Sequence, residues 1–384
     1  MLEWARESAG YSLDDAAEKL GINVAKLGAV EAGEDDLSFA QLQKCANAYG
    51  RPLAALFIAT PPPPRQTLTD FRLHEGSRSR LFSPQINLII RRAERLREDA
   101  IQLASEVDSE LHEFSETVSF ADSPDETAER ILRMLRITPD IRRTWRTTEI
   151  ALKGWKYSIE SLGIMVLEVS RVSSDDMRGM CIPNALLPII VVNGGESSAA
   201  RCFTLLHELT HVLLRQSAVC DFNVSGGESP EARVEVFCNA VAGSALVPSR
   251  GLLNHVGHVA RHDWTHAELF EIAQLFCVSK EVILRRLLAL GRTSQTHYAR
   301  MRAEFVAEYR RNKERKREAA KANPVKISPA VMAVRNLGYP FVHLVMDAYH
   351  RDRIGLATVS DYLGIKVKHL DRIETLIRNE RLAA

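Results

Sequence analysis

Apolar residues recur every three or four positions along most of this chain, and strand-like runs interrupt that period in one region only. Residues 1–59 show helical spacing punctuated by Gly10, Gly21, Gly33 and Gly50. Pro61-Pro62-Pro63-Pro64 cannot lie inside a helix and predicts a stiff extended spacer over 61–75. Residues 85–114 predict one long amphipathic helix, and 124–136 a second with Pro124 in its first turn. Between 163 and 194 the period changes. "GIMVLEV" and "LPIIVVNG" are short β-branched runs bounded by Gly, Pro and Asn, and they predict strands of a small sheet. Helical spacing returns over 198–216, 230–246, 265–290 and 297–322, Asn323-Pro324 ends the last of these, and a helical module fills 328–384. The fold class is therefore α+β and mostly helical. The expected domains are 1–60, a linker over 61–75, a central domain over 76–295, a basic helix or linker over 296–326, and a C-terminal module over 327–384.

Two of these segments are copies of one another. "EKLGINVAKLGAVE" (Glu18–Glu31) and "DYLGIKVKHLDRIE" (Asp361–Glu374) align without a gap. An apolar residue ends one helix, Gly takes the turn, and Ile and Val open the next, which is the logic of a helix-turn-helix. A weaker copy, "AQLFCVSKEVILRRL" (residues 273–287), has Cys277 in the Gly position. The pattern does not by itself imply DNA binding. Residues 1–60 carry five cations against nine anions, and the helix following the turn offers only Asn23 and Lys26 to a base or phosphate. The C-terminal copy is better supplied, with Lys366, Lys368, His369 and Arg372.

The remaining composition narrows the setting. A chain of 384 residues with a formal net charge of +1 has room for two or three domains and no whole-chain field favouring nucleic acid. Charge is nonetheless concentrated in 297–322, where nine cations face four carboxylates; this reads as a solvated helix, with a nucleic-acid contact as its rival. No run approaches the ~18–20 apolar residues that span a bilayer. "MLEWARESAG" has Glu3 and Glu7 where a signal peptide needs an apolar stretch. The six cysteines form no C-x-x-C pair, which fits a reducing, cytoplasmic setting with free thiols; a Cys220–Cys238 bridge is the one pairing considered.

The chemistry is concentrated in "FTLLHELTHVLL". Residues four apart on a helix point within about 40° of each other, so His207 and His211 share a face and can bind one metal ion. Glu208, one position on, can then serve as a general base, the arrangement of an H-E-x-x-H helix. A third ligand is required. Asp221, Glu228, Glu231, Glu235, His255, His258, His262 and His266 all lie downstream. In the helix 230–246, Glu235 shares a stripe with Cys238, Asn239 and Ala242, and a carboxylate on a small, apolar face calls for a partner.

"ARCFTLLHELTHVLL" followed by "EVFCNAVAGSALVP" resembles the ImmA/IrrE-type zinc metallopeptidases. "RGMCIPNALLPIIVVNGG" is similar to the family's sheet region, "TDFRL" to the segment leading into it, and residues 1–59 to the Cro/repressor-type helix-turn-helix that many members carry. The likeness spans roughly 1–295. It implies a zincin-like domain with a small sheet, with His207, His211 and Glu235 as ligands of one Zn2+ (or another divalent ion such as Mn2+) and Glu208 as the catalytic glutamate. The family's F-A-A-E-L-L-M-P appears here as Val241-Ala242-Gly243-Ser244-Ala245-Leu246-Val247-Pro248, so the wall beside the metal has smaller residues. The resemblance further implies limited proteolysis of a protein partner, often a helix-turn-helix repressor, in stress-response or mobile-element regulation.

A rival from another class is a DNA-binding regulator, antitoxin-like, whose peptidase fold serves as sensor or scaffold. A latent peptidase that needs a partner or a metal influx fits the same residues, and a dimer is compatible with them.

Overall fold

Most helices in this chain begin at a Ser, Thr or Asn whose side chain accepts a hydrogen bond from the first turn. Ser12, Asn23, Ser38, Ser123, Thr138, Thr147, Ser197, Thr265 and Ser279 all do so. The computed structural model describes residues 1–62, 69–70, 83–170, 172–215, 218–220, 230–257, 263–322 and 327–383. Most of the expected linker 61–75 therefore lies outside the described residues. The chain divides into two units, Met1–Glu98 and Asp99–Ala384.

In the first unit, helices α1 (Leu2–Ser8), α2 (Leu13–Leu20), α3 (Val24–Ala32) and α4 (Phe39–Tyr49) enclose Leu20, Leu27, Cys45 and Tyr49. A two-residue strand, β1 (Thr69–Asp70), and helix α5 (Pro84–Glu106) follow. Gly21 ends α2 in the left-handed conformation at φ 67°, so the turn read from the repeat forms where expected. Glu31, which closes the repeat, holds Arg6 of α1 through both carboxylate oxygens at 2.8 and 2.9 Å.

The second unit starts with α6 (Pro124–Met134), α7 (Pro139–Thr144) and α8 (Thr148–Glu160). Next come β2 (Met165–Val169), β3 (Gly179–Ile182), β4 (Ile189–Asn193), α9 (Ser198–Leu213), β5 (Ala218–Cys220) and α10 (Pro230–Leu246). Within this unit the strands pair in the order β5-β3-β4-β2. β2 runs parallel to β4, with Leu167 opposite Val191, and β3 runs antiparallel to both β4 and β5. β4 is buried at all five positions, which explains its unbroken apolar reading. Helix α9 packs against β3, β4, α8 and α10.

The unit continues with α11 (Ser249–Val256), α12 (His266–Phe276), α13 (Lys280–Ala289) and α14 (Gln295–Ala322). Its last helices are α15 (Pro329–Leu337), α16 (Tyr339–His350), α17 (Leu356–Leu363) and α18 (Leu370–Ala383). Gly364 ends α17 at φ 62°, and the second copy of the repeat continues through a 3-10 turn, Val367–His369, before α18. Its closing residue, Glu374, meets His350 at 3.1 Å, matching the Glu31–Arg6 contact of the first copy in position. The C-terminal module is not peripheral: α15 packs on β2. A Cβ at Gly338, between α15 and α16, would come within 2.6 Å of Glu160 and 3.0 Å of the Val166 carbonyl.

Three expectations need correction. The helix expected over 85–114 stops at Glu106, because Asp108 takes a left-handed conformation at φ 52° and Ser109 N–H bonds back to the Ala104 carbonyl. The segment 265–290 is two helices, broken where Cys277 adopts φ 53° in the turn position of the third repeat copy. "LLNHVGHVARHD" (residues 252–263) reads as a surface loop from its clustered histidines and lone glycine, but its first part lies in α11, whose start Arg286 supports by donating to the Val247 carbonyl and to Ser249 Oγ. Cys238, by contrast, is the free thiol expected: it is buried and unbridged, so the alternative Cys220–Cys238 pairing does not form.

Candidate metal centre

Helix α9 is apolar nearly all round, as a helix enclosed by a sheet and two other helices must be. Its polar residues are accommodated locally. Thr204 and Thr210 donate to the carbonyls of Ala200 and Leu206, four residues back, at 3.1 and 2.8 Å. On this buried helix His207, Glu208 and His211 are fully shielded, and Glu235 on α10 is equally enclosed.

Three donor atoms converge. His207 Nε2 and His211 Nε2 lie 3.1 Å apart. Each faces a different oxygen of Glu235, His207 at 3.3 Å and His211 at 3.1 Å. A tetrahedral zinc site with ligand distances of about 2.0–2.1 Å has edges of about 3.3–3.4 Å, close to this triangle. Hydrogen bonds alone explain the triangle less well. If each neutral ring donates its single proton to Glu235, the two Nε2–H groups face each other at 3.1 Å. No placement of one proton per ring satisfies all three edges, whereas a dication at the centre satisfies them together. Among the described residues, His207, His211 and Glu235 form a group able to hold a metal ion.

The electrostatics agree with that reading. Burial lowers the His207 pKa despite the adjacent carboxylate, so the ring is neutral and presents a lone pair. Burial also opposes the charge of Glu235, but the attraction and hydrogen bonds of the two rings outweigh it and hold the carboxyl well below the usual range. The two directions are incompatible with a fixed imidazolium–carboxylate pair. Asn239 lies one turn along α10 from Glu235, beside His207. Cys238 is kept protonated by burial, reinforced by the charges of Glu235 and Glu208, and is no ligand in that state.

Glu208 meets the sheet at one point. A Cβ on Gly179, the first residue of β3, would fall 2.4 Å from the Thr204 methyl group and 2.6 Å from Glu208 Oε1. The glycine therefore lets β3 lie directly against the glutamate. Helix α10 is held by Arg142 of α7, which donates to the carbonyls of Ala245 (3.1 Å) and Leu246 at its C-terminus. That guanidinium also lies over the rings of Trp155 and Phe276, and burial pushes its pKa down to about 10. Neither Gly179 nor Arg142 was singled out from the sequence. The glycine does carry a signal, as a lone Gly opening a strand.

Residues 159–288 match the family of the IrrE N-terminal-like domain, and residues 2–56 match a helix-turn-helix family. The chain carries an IrrE-like peptidase domain and an N-terminal helix-turn-helix. No curated protein matches the chain. Both α9 and α10 lie inside the IrrE-like match, so the cluster belongs to a peptidase-type domain.

The other expected residues are dispersed. His255 is exposed on α11, and exposed His266 pairs with Glu304 at 2.8 Å, so neither joins the cluster. Asp221, Glu228, His258, His262 and the Glu231 side chain lie outside the described residues. The small residues of the α10 wall face elsewhere: Ser244 lies near Asp125 of α6, and a Cβ at Gly243 would touch Arg286 of α13. The departure from the family pattern thus affects the α6–α10–α13 junction. Asn23 spends its side-chain oxygen capping α3, and Lys26 lies 3.9 Å from Asp35. Lys366 and Lys368 are exposed beside the turn of the C-terminal copy.

Among the described residues no single helix is long and apolar enough to cross a membrane.

Proposed function

We propose that this protein is a cytoplasmic zinc-dependent endopeptidase that cuts a protein partner at a limited site, with His207, His211 and Glu235 as metal ligands and Glu208 as general base. The partner we favour is a helix-turn-helix repressor in stress-response or mobile-element control. The convergence of two imidazole nitrogens and one carboxylate at tetrahedral-edge spacing carries this reading. Bound zinc would polarise the scissile carbonyl and bring the pKa of a water toward ~7. His207 and His211 would turn their Nε2 nitrogens toward the ion, and Glu235 would supply the compensating negative charge. Glu208 takes a proton from the attacking water at its carboxylate and returns it to the departing amine. Gly179 lets β3 lie against Glu208, so the strand backs the carboxylate on its sheet side.

The test is a proteome comparison of cells expressing the natural chain and Glu208→Gln, with metal content measured on both purified proteins. The reading expects one regulator cleaved only by the natural chain, at least 100-fold faster, with equal zinc in both. Equal cleavage by both proteins would refute it. The helix-turn-helix match supports a second reading, a DNA-binding regulator using the peptidase fold as a sensor. In that case Glu208→Gln would leave every phenotype intact, while operator DNA would still shift.

A further inference from the structure

Helix α14 has two halves with different chemistry. Over residues 295–309, Arg300 and Arg302 are balanced by Glu304 and Glu308, and the side chains are engaged with the second unit. Met301 and Phe305 are buried in the core. Glu304 meets His266 at 2.8 Å, Glu308 meets Lys280 at 2.7 Å, and Arg302 meets Glu281 at 3.4 Å. After Tyr309 the helix continues to Ala322, and there Arg310, Arg311, Glu314, Arg315, Glu318 and Ala319 are exposed. Residues 310–321 hold seven cations against two carboxylates, so the whole positive surplus of α14 sits in this half.

We infer that the segment 310–321 of α14 is a phosphate-binding surface for duplex DNA, and that it, not the N-terminal helix-turn-helix, supplies this chain's affinity for DNA. The segment extends roughly 17 Å at 1.5 Å per residue, the rise of about five base pairs. A run of cations carried on one helix is complementary to the regular row of anions on a duplex. A duplex offers one phosphate charge per ~1.7 Å of axis, far denser than a folded acidic protein. A helix about 10–12 Å across also fits the major groove of B-DNA, about 12 Å wide, whereas the A-form groove of duplex RNA is too narrow. The N-terminal unit lacks this endowment: residues 1–60 are net acidic, Arg6 is committed to Glu31, and Lys26 faces Asp35.

The inference stands apart from the peptidase reading and is tested separately. The full chain is titrated into a labelled 30-base-pair duplex of arbitrary sequence, across a salt series, beside three variants. One combines Arg310→Gln, Arg311→Gln and Arg315→Gln. The second is Lys26→Gln, and the third combines Lys366→Gln and Lys368→Gln. The expected result is sequence-indifferent binding that weakens steeply with salt. The triple α14 variant loses at least tenfold in affinity at 0.1 M salt, with a slope flatter by about 2–3, while its zinc content and circular dichroism are unchanged. The other two variants change affinity less than threefold. Absence of duplex binding at 50 mM salt overturns the inference. So does an unaffected triple variant, a loss carried wholly by Lys26 or by Lys366 and Lys368, or stronger competition from single-stranded RNA or polyglutamate than from unlabelled duplex.

Discussion

Glu168 and Glu235 are both buried carboxylates of the second unit, and they are neutralised in opposite ways. Glu168, on β2, meets three permanent cations: Arg335 at 2.5 Å, Arg201 at 2.6 Å and Lys156 at 3.8 Å. Burial works against its charge, but the three cations win and lower its pKa. Glu235 meets two imidazoles, and burial keeps the His207 ring from charging. The first arrangement is complete as protein. The second becomes electrostatically complete only when a cation sits among its donors. A buried carboxylate thus reveals its role by the kind of base that faces it, since only a titratable ring can exchange a proton for a metal.

The largest effect expected is at Glu168. Glu168→Gln removes the only anion named among three buried or half-buried cations, and losing one side of such a cluster costs about 3–5 kcal/mol. Chemical denaturation checks this, and added zinc should leave the gap between the two proteins unchanged. The pH dependence follows from sign. The folded pKa of Glu168 is depressed, so its contribution is fully present above the unfolded value of about 4.3 and is lost as pH falls through the folded pKa. The stability gap should therefore hold from pH 7 to about 5 and shrink at more acid pH. A gap unaltered at pH 3 would break the comparison from this side.

Glu235→Ala tests the other side. Losing one of three ligands should weaken zinc binding by 100-fold or more, read as metal per chain after dialysis against a buffered chelator. At zinc levels about 100-fold above the natural Kd, the natural chain should gain about 2.7 kcal/mol of stability and the variant almost none. In chelator, the two proteins should differ far less than at Glu168. A large deficit in chelator would mean that Glu235 is a structural carboxylate like Glu168.

Gly179→Ala makes a finer cut. The added methyl group meets only the ends of the Thr204 and Glu208 side chains, and these can move. Stability should fall by about 1 kcal/mol or less, and zinc content should hold. Cleavage of casein, or of the regulator found in the proteome comparison, should fall about tenfold because Glu208 is displaced from its place beside the metal.

How much of this was legible beforehand depended on whether the relevant contacts are local. The His207–His211 pair was readable because helix geometry alone sets residues four apart on one face. Glu235 was readable as a polar residue on a small, apolar stripe. The repeat was readable because Gly21 and Gly364 mark left-handed turns. Cys277 extends the rule: the same turn forms without glycine, at φ 53°, at the position the weaker copy of the repeat marks. Helices α7 and α8 were not anticipated, because Gly154 and scattered polar residues blur their period, while β3 lay within the stretch likened to the family's sheet without a strand pattern of its own. Gly154 itself is explained only by the Trp145 ring, which a Cβ there would meet at 2.6 Å. Arg142 and Arg335 find their partners 103 and 141 residues away, and no local pattern encodes such pairings.

The smallest effect expected is at Arg335, and it asks whether the three cations around Glu168 are equivalent. Arg335 belongs to α15, and its side chain is 29% exposed against 10–12% for Lys156 and Arg201. Solvent therefore screens its attraction to Glu168, and Arg335→Gln should cost only about 1 kcal/mol. The same side chain donates to the Gly194 carbonyl, and Lys156 donates to the Arg335 carbonyl, so the residue fastens α15 beside the turn that leads into α9. Hydrogen exchange resolves the consequence by segment. Amides of 329–337 should exchange faster in Arg335→Gln, while those of 198–213, held by Arg201, the sheet and α10, should keep their protection. Equal loosening of both segments would mean that the C-terminal module governs the metal-bearing helix directly, and that the two buried carboxylates are mechanically coupled.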